Sequence, residues 1–246
     1  MFWYYAPLLT QGQTLLFLAA VIPPLILLIW IFRLDKIESE PKGLIVKLFF
    51  FGVLATIAAI IFEGIGEALI SSLLSGIVSR TVYNLVMYFI VVALVEEGVK
   101  RFALKAGSWK HPAFDYRFDA IVYAVAVSLG FAAAENVGYV FSFGLSNALL
   151  RAVTSIPGHC IFGIYMGYYY GMAKYADMHG DSSKRRHYMR MSLLVPVLLH
   201  GWYDFTATSG NGTLVLLFFV YIIILDIVAF VSVRRFARSD QSLLKP

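Results

Sequence analysis

The residues of this chain that could carry out acid–base or metal chemistry are ionisable side chains placed inside long apolar stretches. A charged group within a membrane span costs about 2.5 kcal/mol or more on insertion scales, so such residues persist mainly where function retains them. The candidates are Glu96, Glu97, Glu135, His159, His200 and Asp204. Carboxylates and imidazoles activate water by accepting its proton or by holding a metal ion. We therefore treat these six residues as the candidate functional residues.

The motif with paired glutamates admits two interpretations. On a helix, a spacing of four residues places Glu96 over Lys100 and Glu97 over Arg101, which predicts two ion pairs at a helix end. Two adjacent carboxylates near membrane depth also repel each other, and crowding with desolvation makes one of them a better proton acceptor. The spacing alone leaves structural and catalytic roles open.

Glu135 and Asn136 follow a run of small residues at positions 130 and 132–134. Small residues permit close helix approach, which explains the run but not the carboxylate. No cation is near Glu135 in the sequence, so it is protonated, paired with a residue from another helix, or bound to a metal ion.

His159 heads a row of glycines at positions 163, 167 and 171. This spacing of four predicts a smooth ridge for helix packing, which would press His159 against a neighbouring helix. A lone histidine in this setting can be a hydrogen-bonded core residue or a functional one. Pro157 and Gly158, just before it, are expected to bend or loosen the helix.

His200 and Asp204 are one helical turn apart, so the carboxylate can orient the imidazole or form a plain helix-end hydrogen bond. Taken together, the candidates favour a hydrolytic centre of one of two kinds. One is a zinc site that uses His159, His200 and one or both of Glu97 and Glu135. The other is a metal-free cluster in which the same residues act as acid and base. The sequence does not separate them.

The elements that must hold these residues are membrane helices. Of the 246 residues, 60% are hydrophobic and 14% are charged, and the mean hydropathy is +0.76. A helix needs about 20 apolar residues to cross a bilayer, which predicts an all-α, multi-pass bundle of about seven helices in a single domain, 1–246. The predicted spans are 14–32, 44–66, 81–103, 119–141, 147–173, 190–208 and 213–233.

The distribution of basic residues predicts the topology. With the N-terminus outside and the C-terminus inside, Arg80 and Arg151 are the only two of the 20 Lys and Arg residues in outside segments. The net charge of +5 is therefore interpreted as a topology signal and not as nucleic-acid binding. The aromatic residues at 2–5 are predicted to anchor the first span at the interface. The lone cysteine, Cys160, excludes an intramolecular disulfide.

The spacing within the motifs resembles that of the PrsW family of intramembrane proteases. The matching elements are Glu-Glu-x-x-Lys at 96–100, Phe-x-x-x-Glu-Asn at 131–136, His-x-x-x-Gly at 159–163, His-x-x-x-Asp at 200–204, the acidic segment 35–41, and Arg151. The motif core covers about 33–205. The related CAAX prenyl proteases carry a histidine where this chain has Glu135, which favours the PrsW branch. Asp204 stands where PrsW relatives usually carry an asparagine.

This resemblance implies a multi-pass cell-membrane peptidase that cleaves membrane-anchored protein substrates, as in the first-site cleavage of an anti-sigma factor. It implies catalytic roles for Glu96, Glu97, Glu135, His159 and His200, with Lys100, Arg101, Asn136 and Asp204 in support. We expect Glu96 or Glu97 to take a proton from water, and His200 or Asn136 to stabilise the oxyanion.

Alternative functions are a CAAX-type prenyl endopeptidase, a transporter or channel with a buried proton relay, and a non-catalytic scaffold. Inverted repeats or paired broken helices would favour a transporter, and the sequence has neither. Counting residues from the membrane faces places Glu96 and Glu97 toward the inner side, the histidines near the middle and Glu135 toward the outer side. We nevertheless predict that helix tilt brings them to one shared polar cavity.

Overall fold

The structure is a computed structural model that describes residues 10–243, and the chain is all-α as predicted. The helices are α1 (Gln11–Phe32), α2 (Lys42–Leu74), α3 (Arg80–Val86), α4 (Leu94–Ser108), α5 (Asp119–Phe143), α6 (Leu145–Val153), α7 (Ser155–Met178), α8 (Ser182–Ala207) and α9 (Gly212–Arg238). A π-helical segment, Met87–Ala93, joins α3 to α4 in one continuous rod. The aromatic residues at 2–5 lie outside the described residues.

Six of the seven predicted spans each coincide with one long helix or, for 81–103, with the continuous α3–α4 rod; the fifth, 147–173, extends over α6 and α7. Five of these helices are long and apolar enough to cross a membrane: α1, α2, the α3–α4 rod, α5 and α9. The protein is thus a multi-pass membrane protein. The two remaining predicted spans, within 147–173 and 190–208, coincide with α7 and α8, which carry more polar residues. The side of the membrane that each terminus faces stays a prediction.

The fifth predicted span differs from the structure, because it is divided into α6 and α7. The chain leaves helical geometry at Thr154, with φ −123° and ψ −74°, and not at the Pro157–Gly158 pair that sequence had indicated. Gly144, at φ +80°, separates α5 from α6, a backbone conformation that glycine adopts without steric cost. The short α6 therefore folds against the bundle and places Arg151 beside α5.

Helix starts follow local side-chain chemistry. Thr10 caps α1 by accepting a hydrogen bond from the Gln13 backbone N–H at 3.3 Å. Asp181 caps α8 by accepting one from Lys184 at 2.9 Å, and Asn211 caps α9. Such side chains satisfy backbone N–H groups that lack an intrahelical partner. The boundaries of these helices are therefore encoded locally.

The centre of the bundle is α5, whose residues from Asp119 to Ala133 are buried on every face. Glycines allow this burial: a Cβ on Gly52 of α2 would lie 1.9 Å from the Val127 carbonyl oxygen, and one on Gly130 would lie 1.9 Å from the Phe49 carbonyl oxygen. On the other side, a Cβ on Gly167 would lie 2.5 Å from the Ala120 carbonyl oxygen. The predicted glycine ridge of α7 is thus confirmed, and it packs against α5.

Candidate active site

A buried ammonium group lies at the centre of the candidate site. Lys100 Nζ is 2.6 Å from Glu97 Oε1, 3.3 Å from Glu96 Oε2 and 3.3 Å from His159 Nδ1, and its side chain is fully buried. An ammonium has three N–H donors, so each donor of Lys100 has an acceptor. Its Nζ also lies 4.5 Å from the ring centroid of Phe131, within cation–π range. Lys100 therefore links α4 to α5 and α7.

The predicted pairing of Glu97 with Arg101 is not formed. Arg101 donates from Nη1 to the Met189 carbonyl oxygen of α8 at 2.7 Å, whereas Glu97 pairs with Lys100 at a spacing of three. The reason is directional: Glu97 is fully buried at the helix junction, and Arg101 faces a different neighbour. Arg101 thus fastens α4 to α8 and lies outside the cluster.

His200 lies between two carboxylates. Its Nδ1 is 2.9 Å from Glu97 Oε1, and its Nε2 is 3.2 Å from Asp204 Oδ2. Its ring stacks on Phe162, with centroids 4.9 Å apart. Carboxylate oxygens on both nitrogens favour the form in which both carry hydrogen, which is the imidazolium. The predicted His200–Asp204 pair is present in the structure, and it occurs within a longer chain of contacts.

His159 joins the lysine to a second ion pair. Its Nε2 is 2.9 Å from Glu135 Oε2, and its Nδ1 faces Lys100. Because the ammonium donates, Nδ1 accepts and Nε2–H donates to Glu135, which describes a neutral ring. Glu135 Oε2 also lies 3.1 Å from Arg151 Nη2. Of the three alternatives for Glu135, the structure favours pairing with a residue from another helix.

Asn136 contacts this network only through Arg151 among the described residues. Its Nδ2 donates to the Ala20 carbonyl oxygen of α1 at 3.0 Å, and its Oδ1 accepts from Arg151 Nε at 2.8 Å. The side chain is fully buried, and both halves of its amide are engaged. Asn136 therefore orients Arg151, and Arg151 in turn holds Glu135.

Five of the six candidate residues, all except Glu97, border one cavity of about 650 Å³. Its polar lining residues include Glu63, Tyr88, Glu96, Glu135, Arg151, His159, His200, Tyr203 and Asp204. The predicted shared cavity is thus present, although residue counting places Glu135 at a different depth from the other residues. Glu96 faces the cavity at 6% exposure, whereas Glu97 is fully buried behind it. Such a volume accommodates several side chains of an extended peptide.

Glu63 of α2 is a cavity residue that the sequence reasoning missed. Its Oε1 is buried and has no hydrogen-bond partner within the described range 10–243. The criterion that selected the other candidates applies to it as well, because Glu63 is an ionisable residue within an apolar stretch. An unpaired carboxylate oxygen at a cavity wall is available to a ligand.

The geometry offers a second set of candidate metal ligands, and the predicted set of His159, His200, Glu97 and Glu135 stays a prediction. Glu96, Glu97 and His159 each offer a ligand atom within 4.8 Å of those of the other two. The predicted set included Glu135 and His200 in place of Glu96. Glu135 instead pairs with Arg151, and His200 lies between its two carboxylates.

Two carboxylates and one imidazole suit Zn²⁺, and all three residues are buried, so the donor set fits this ion. The same residues surround the Lys100 ammonium at 2.6–3.3 Å. Two cations repel strongly at such separations, so a zinc ion at this position requires the ammonium to move or to lose its proton.

Glutamates and histidines beside a cavity inside a bundle of membrane helices are the residue types that activate water in hydrolytic enzymes, so the site has the composition expected of an intramembrane hydrolase. A family model described as PrsW family intramembrane metalloprotease matches residues 40–231. No solved structure shows a significant match to the chain.

Curated relatives agree with the family match. Protease PrsW of Clostridioides difficile is 38% identical over 214 residues, which cover 85% of this chain and 86% of the relative. Protease PrsW of Geobacillus kaustophilus is 36% identical, with 76% of each chain covered. Protease PrsW of Bacillus subtilis is 31% identical, with 78% of this chain and 82% of the relative covered. The chain belongs to the PrsW family and is an intramembrane peptidase.

Proposed function

We propose that this peptidase hydrolyses a peptide bond of a membrane-anchored protein within the cavity, using a water molecule activated by Glu96. The observation that carries the proposal is the continuity of the network. The side chains form a continuous chain of contacts that runs from α5 through α7 and α4 to α8. Four residues of the site, Glu96, Glu135, His159 and His200, line the same cavity. In this proposal, residues 1–246 form one peptidase domain with its motif core at 33–205.

Glu96 is the better placed of the two adjacent glutamates to act as the base. Glu97 Oε1 is held by Lys100 at 2.6 Å and by His200 at 2.9 Å, and its side chain does not reach the cavity. Glu96 Oε2 lies further from both groups, 3.3 Å from Lys100 Nζ and 3.9 Å from His200 Nδ1, and Glu96 lines the cavity. A base must reach the proton that it removes, so geometry selects Glu96. Glu97 instead fixes the positions of Lys100 and His200.

The reaction then needs a place for negative charge. As Glu96 takes a proton from water, the water oxygen bonds to the carbonyl carbon and the carbonyl oxygen becomes an oxyanion. His200, charged between Glu97 and Asp204, lines the cavity and stabilises the oxyanion, a role commonly contributing about 3 kcal/mol. When the carbon–nitrogen bond breaks, Glu96 returns the proton to the leaving nitrogen. Asn136, whose amide is already engaged, acts through Arg151 instead.

A zinc ion, when bound by Glu96, Glu97 and His159, supplies Lewis-acid polarisation of the carbonyl and a more acidic water. The description of the family as metalloproteases supports this version of the site, and the saturated contacts of Lys100 support a metal-free version. Elemental analysis of the purified protein, followed by assay after chelation, separates the two. About one zinc per chain, with activity lost on chelation and restored by zinc, assigns the metal. Full activity without metal assigns the acid–base mechanism.

The position of the cavity supports a membrane-anchored protein as the proposed substrate. The cavity is lined by residues of α2, the π-helical segment and α4 to α8, so a substrate reaches it from among the helices of the bundle. A protein with a single membrane anchor meets this requirement, and the family resemblance favours an anti-sigma factor cut at its first site. The curated relatives carry names that specify a protease and no substrate.

Reconstitution with a membrane-anchored protein substrate tests this function. The purified protein is incubated in liposomes with an anti-sigma-like substrate, and the products are identified by gel and mass spectrometry. We expect one defined cut, which His200→Ala abolishes and the exposed control Glu67→Gln on α2 retains. Cleavage confined to prenylated peptides would assign a prenyl endopeptidase instead. Ion flux without cleavage would assign a transporter.

A further inference from the structure

A second group of buried acidic residues lies far from the active site. Asp35 and Glu40 lie in the segment that joins α1 to α2, and Asp119 is the first residue of α5. They are 9%, 4% and 1% exposed, respectively. An oxygen from each lies within 4.8 Å of one from the other two. Along α5, Asp119 precedes Glu135 by about 24 Å at 1.5 Å per residue, so this acidic cluster is separate from the hydrolytic site.

Uncharged groups donate hydrogen bonds to the acidic cluster, but one buried carboxylate oxygen, Asp35 Oδ2, receives none from the described residues. Asp119 Oδ2 accepts backbone hydrogen bonds from Asp115 at 3.0 Å and Tyr116 at 2.7 Å. Glu40 accepts a hydrogen bond from the Tyr123 hydroxyl. Asp35 Oδ2 is buried and has no hydrogen-bond partner among residues 10–243. In that same range, no ion pair includes any of the three carboxylates. Buried charges without a counterion are costly.

The segment after α9 packs beside the acidic cluster, where Asp240 adds a further negative charge. Arg117 N–H donates to the Gln241 carbonyl oxygen at 3.1 Å, and Leu243 N–H donates to the Asp115 carbonyl oxygen at 2.7 Å. Asp240 accepts from the Phe118 N–H at 2.9 Å. Burial, with the nearby charge of Asp240, raises the pKa of Asp35 to about 6.

We propose that Asp35, Glu40 and Asp119 bind a hard divalent cation, Ca²⁺ or Mg²⁺, which fastens the α1–α2 segment to the start of α5. Ca²⁺ binds oxygens at about 2.4 Å, so two ligands on opposite sides of the ion are about 4.8 Å apart. The three oxygens lie within that separation of one another. The ligand set contains no imidazole or thiolate, which favours these ions over zinc. The unpartnered Asp35 oxygen supplies a ligand already in place.

The occupied site would stabilise the fold without contacting the substrate. The cation neutralises three carboxylates from two segments that meet only through tertiary structure. The carboxylates that would bind the cation lie next to the β-bridge between Tyr116 and Ser242. Cation binding therefore also stabilises the packing of the segment after α9 against the start of α5. A ligand that binds only the folded state raises the unfolding temperature in proportion to its occupancy.

Thermal unfolding of the full-length protein in detergent, first stripped of metal, tests the proposal. At about 100 times the dissociation constant, Ca²⁺ or Mg²⁺ is expected to raise the midpoint by roughly 5–10 °C. Of Ca²⁺ and Mg²⁺, the ion with the lower half-saturating concentration is assigned to the site. Zn²⁺ is tested in parallel as the comparison ion. No shift with either Ca²⁺ or Mg²⁺, or a shift with Zn²⁺ alone, would overturn the proposal.

Asp35→Asn assigns the shift to this cluster, with Glu38→Gln in the same segment as the matched control because Glu38 is exposed. Asp35→Asn is expected to abolish the metal-dependent shift while leaving the metal-free midpoint unchanged or higher, because it removes a buried unpaired charge. Glu38→Gln is expected to retain the full shift. Equilibrium dialysis with radioactive Ca²⁺ provides a second measurement, in which one bound ion per wild-type chain is lost in Asp35→Asn. An unchanged shift and stoichiometry in Asp35→Asn would refute the assignment.

Discussion

The Nδ1 atom of His200 lies 2.9 Å from Oε1 of Glu97, and this contact joins α8 to α4 at the centre of the site. The same carboxylate oxygen lies 2.6 Å from Lys100 Nζ. Glu97 is therefore a shared acceptor for two donors from different helices. Its complete burial makes it the residue on which the geometry of the neighbouring groups depends.

Removing either partner of the buried Glu97–Lys100 ion pair is expected to destabilise the protein. Glu97→Gln or Lys100→Met leaves an uncompensated charge, which costs about 3–5 kcal/mol when a buried ion pair is broken. The exposed control on the same helix, Lys105→Met, is expected to change stability by less than about 0.5 kcal/mol. Thermal unfolding in detergent measures both. The double variant Glu97→Gln/Lys100→Met is expected to recover part of the loss, and strict additivity would contradict direct pairing.

Lysine is not expected to replace Arg151 without loss of activity. Its Nε donates to Asn136 at 2.8 Å while Nη2 lies 3.1 Å from Glu135, and a lysine would have to reach both acceptors from a single Nζ instead of from two nitrogens held in a rigid plane. Arg151→Lys should lower kcat by about tenfold or more, because Glu135 and then His159 lose their orientation. Arg80→Lys, at the exposed start of α3, is the matched control. An unchanged kcat in Arg151→Lys would show that this orientation is dispensable.

Asp204 is expected to act mainly as a hydrogen-bond acceptor. In Asp204→Asn the amide oxygen still accepts from His200 Nε2, now 3.2 Å from the carboxylate. The asparagine variant should therefore keep activity within about tenfold of the wild type, whereas Asp204→Ala should lose about 10²-fold. Steady-state cleavage rates distinguish them. Equal losses in the two variants would indicate that the charge of Asp204 is essential.

Close backbone packing between α2 and α5 is expected to be intolerant of a single methyl group. Gly52→Ala would place its Cβ 1.9 Å from the Val127 carbonyl oxygen, and backbone cannot move aside as a flexible side chain can. A loss of about 1–3 kcal/mol in unfolding free energy is expected. Gly43→Ala near the start of the same helix has open space around it and serves as the control. Equal stability of the two variants would contradict the close approach.

Much of the site could be predicted from the sequence because its chemistry is concentrated in short motifs. Glu96, Glu135, His159 and His200 were each recognisable as ionisable residues within apolar stretches, and the seven long helices follow from hydrophobic length. Their mutual contacts depend on helix tilt and rotation, which residue counting does not supply. Residue counting therefore places Glu135 toward the outer side of the membrane, whereas in the structure its Oε2 lies 2.9 Å from His159 Nε2.

Other features could not be predicted because they arise from tertiary structure. Arg101 turns to the Met189 carbonyl oxygen of α8, a partner 88 positions away that the helical spacing of charges does not indicate. The break at Thr154 carries no glycine or proline signal of its own. The acidic cluster likewise combines Asp35 and Glu40 with Asp119, residues distant in sequence that only the folded bundle brings together.

The most direct test of the mechanism compares Glu96→Gln with the wild type in cleavage of a membrane-anchored substrate, with Glu67→Gln as the control. Because Glu96 is assigned as the base that lines the cavity, its replacement should lower the single-turnover cleavage rate by roughly 10²–10⁴-fold. Substrate binding and the unfolding midpoint should change little, since the glutamine side-chain oxygen can still accept from Lys100 at the 3.3 Å contact and His200 Nδ1 lies further away, at 3.9 Å. Cleavage by Glu96→Gln at the wild-type rate would contradict the proposed mechanism.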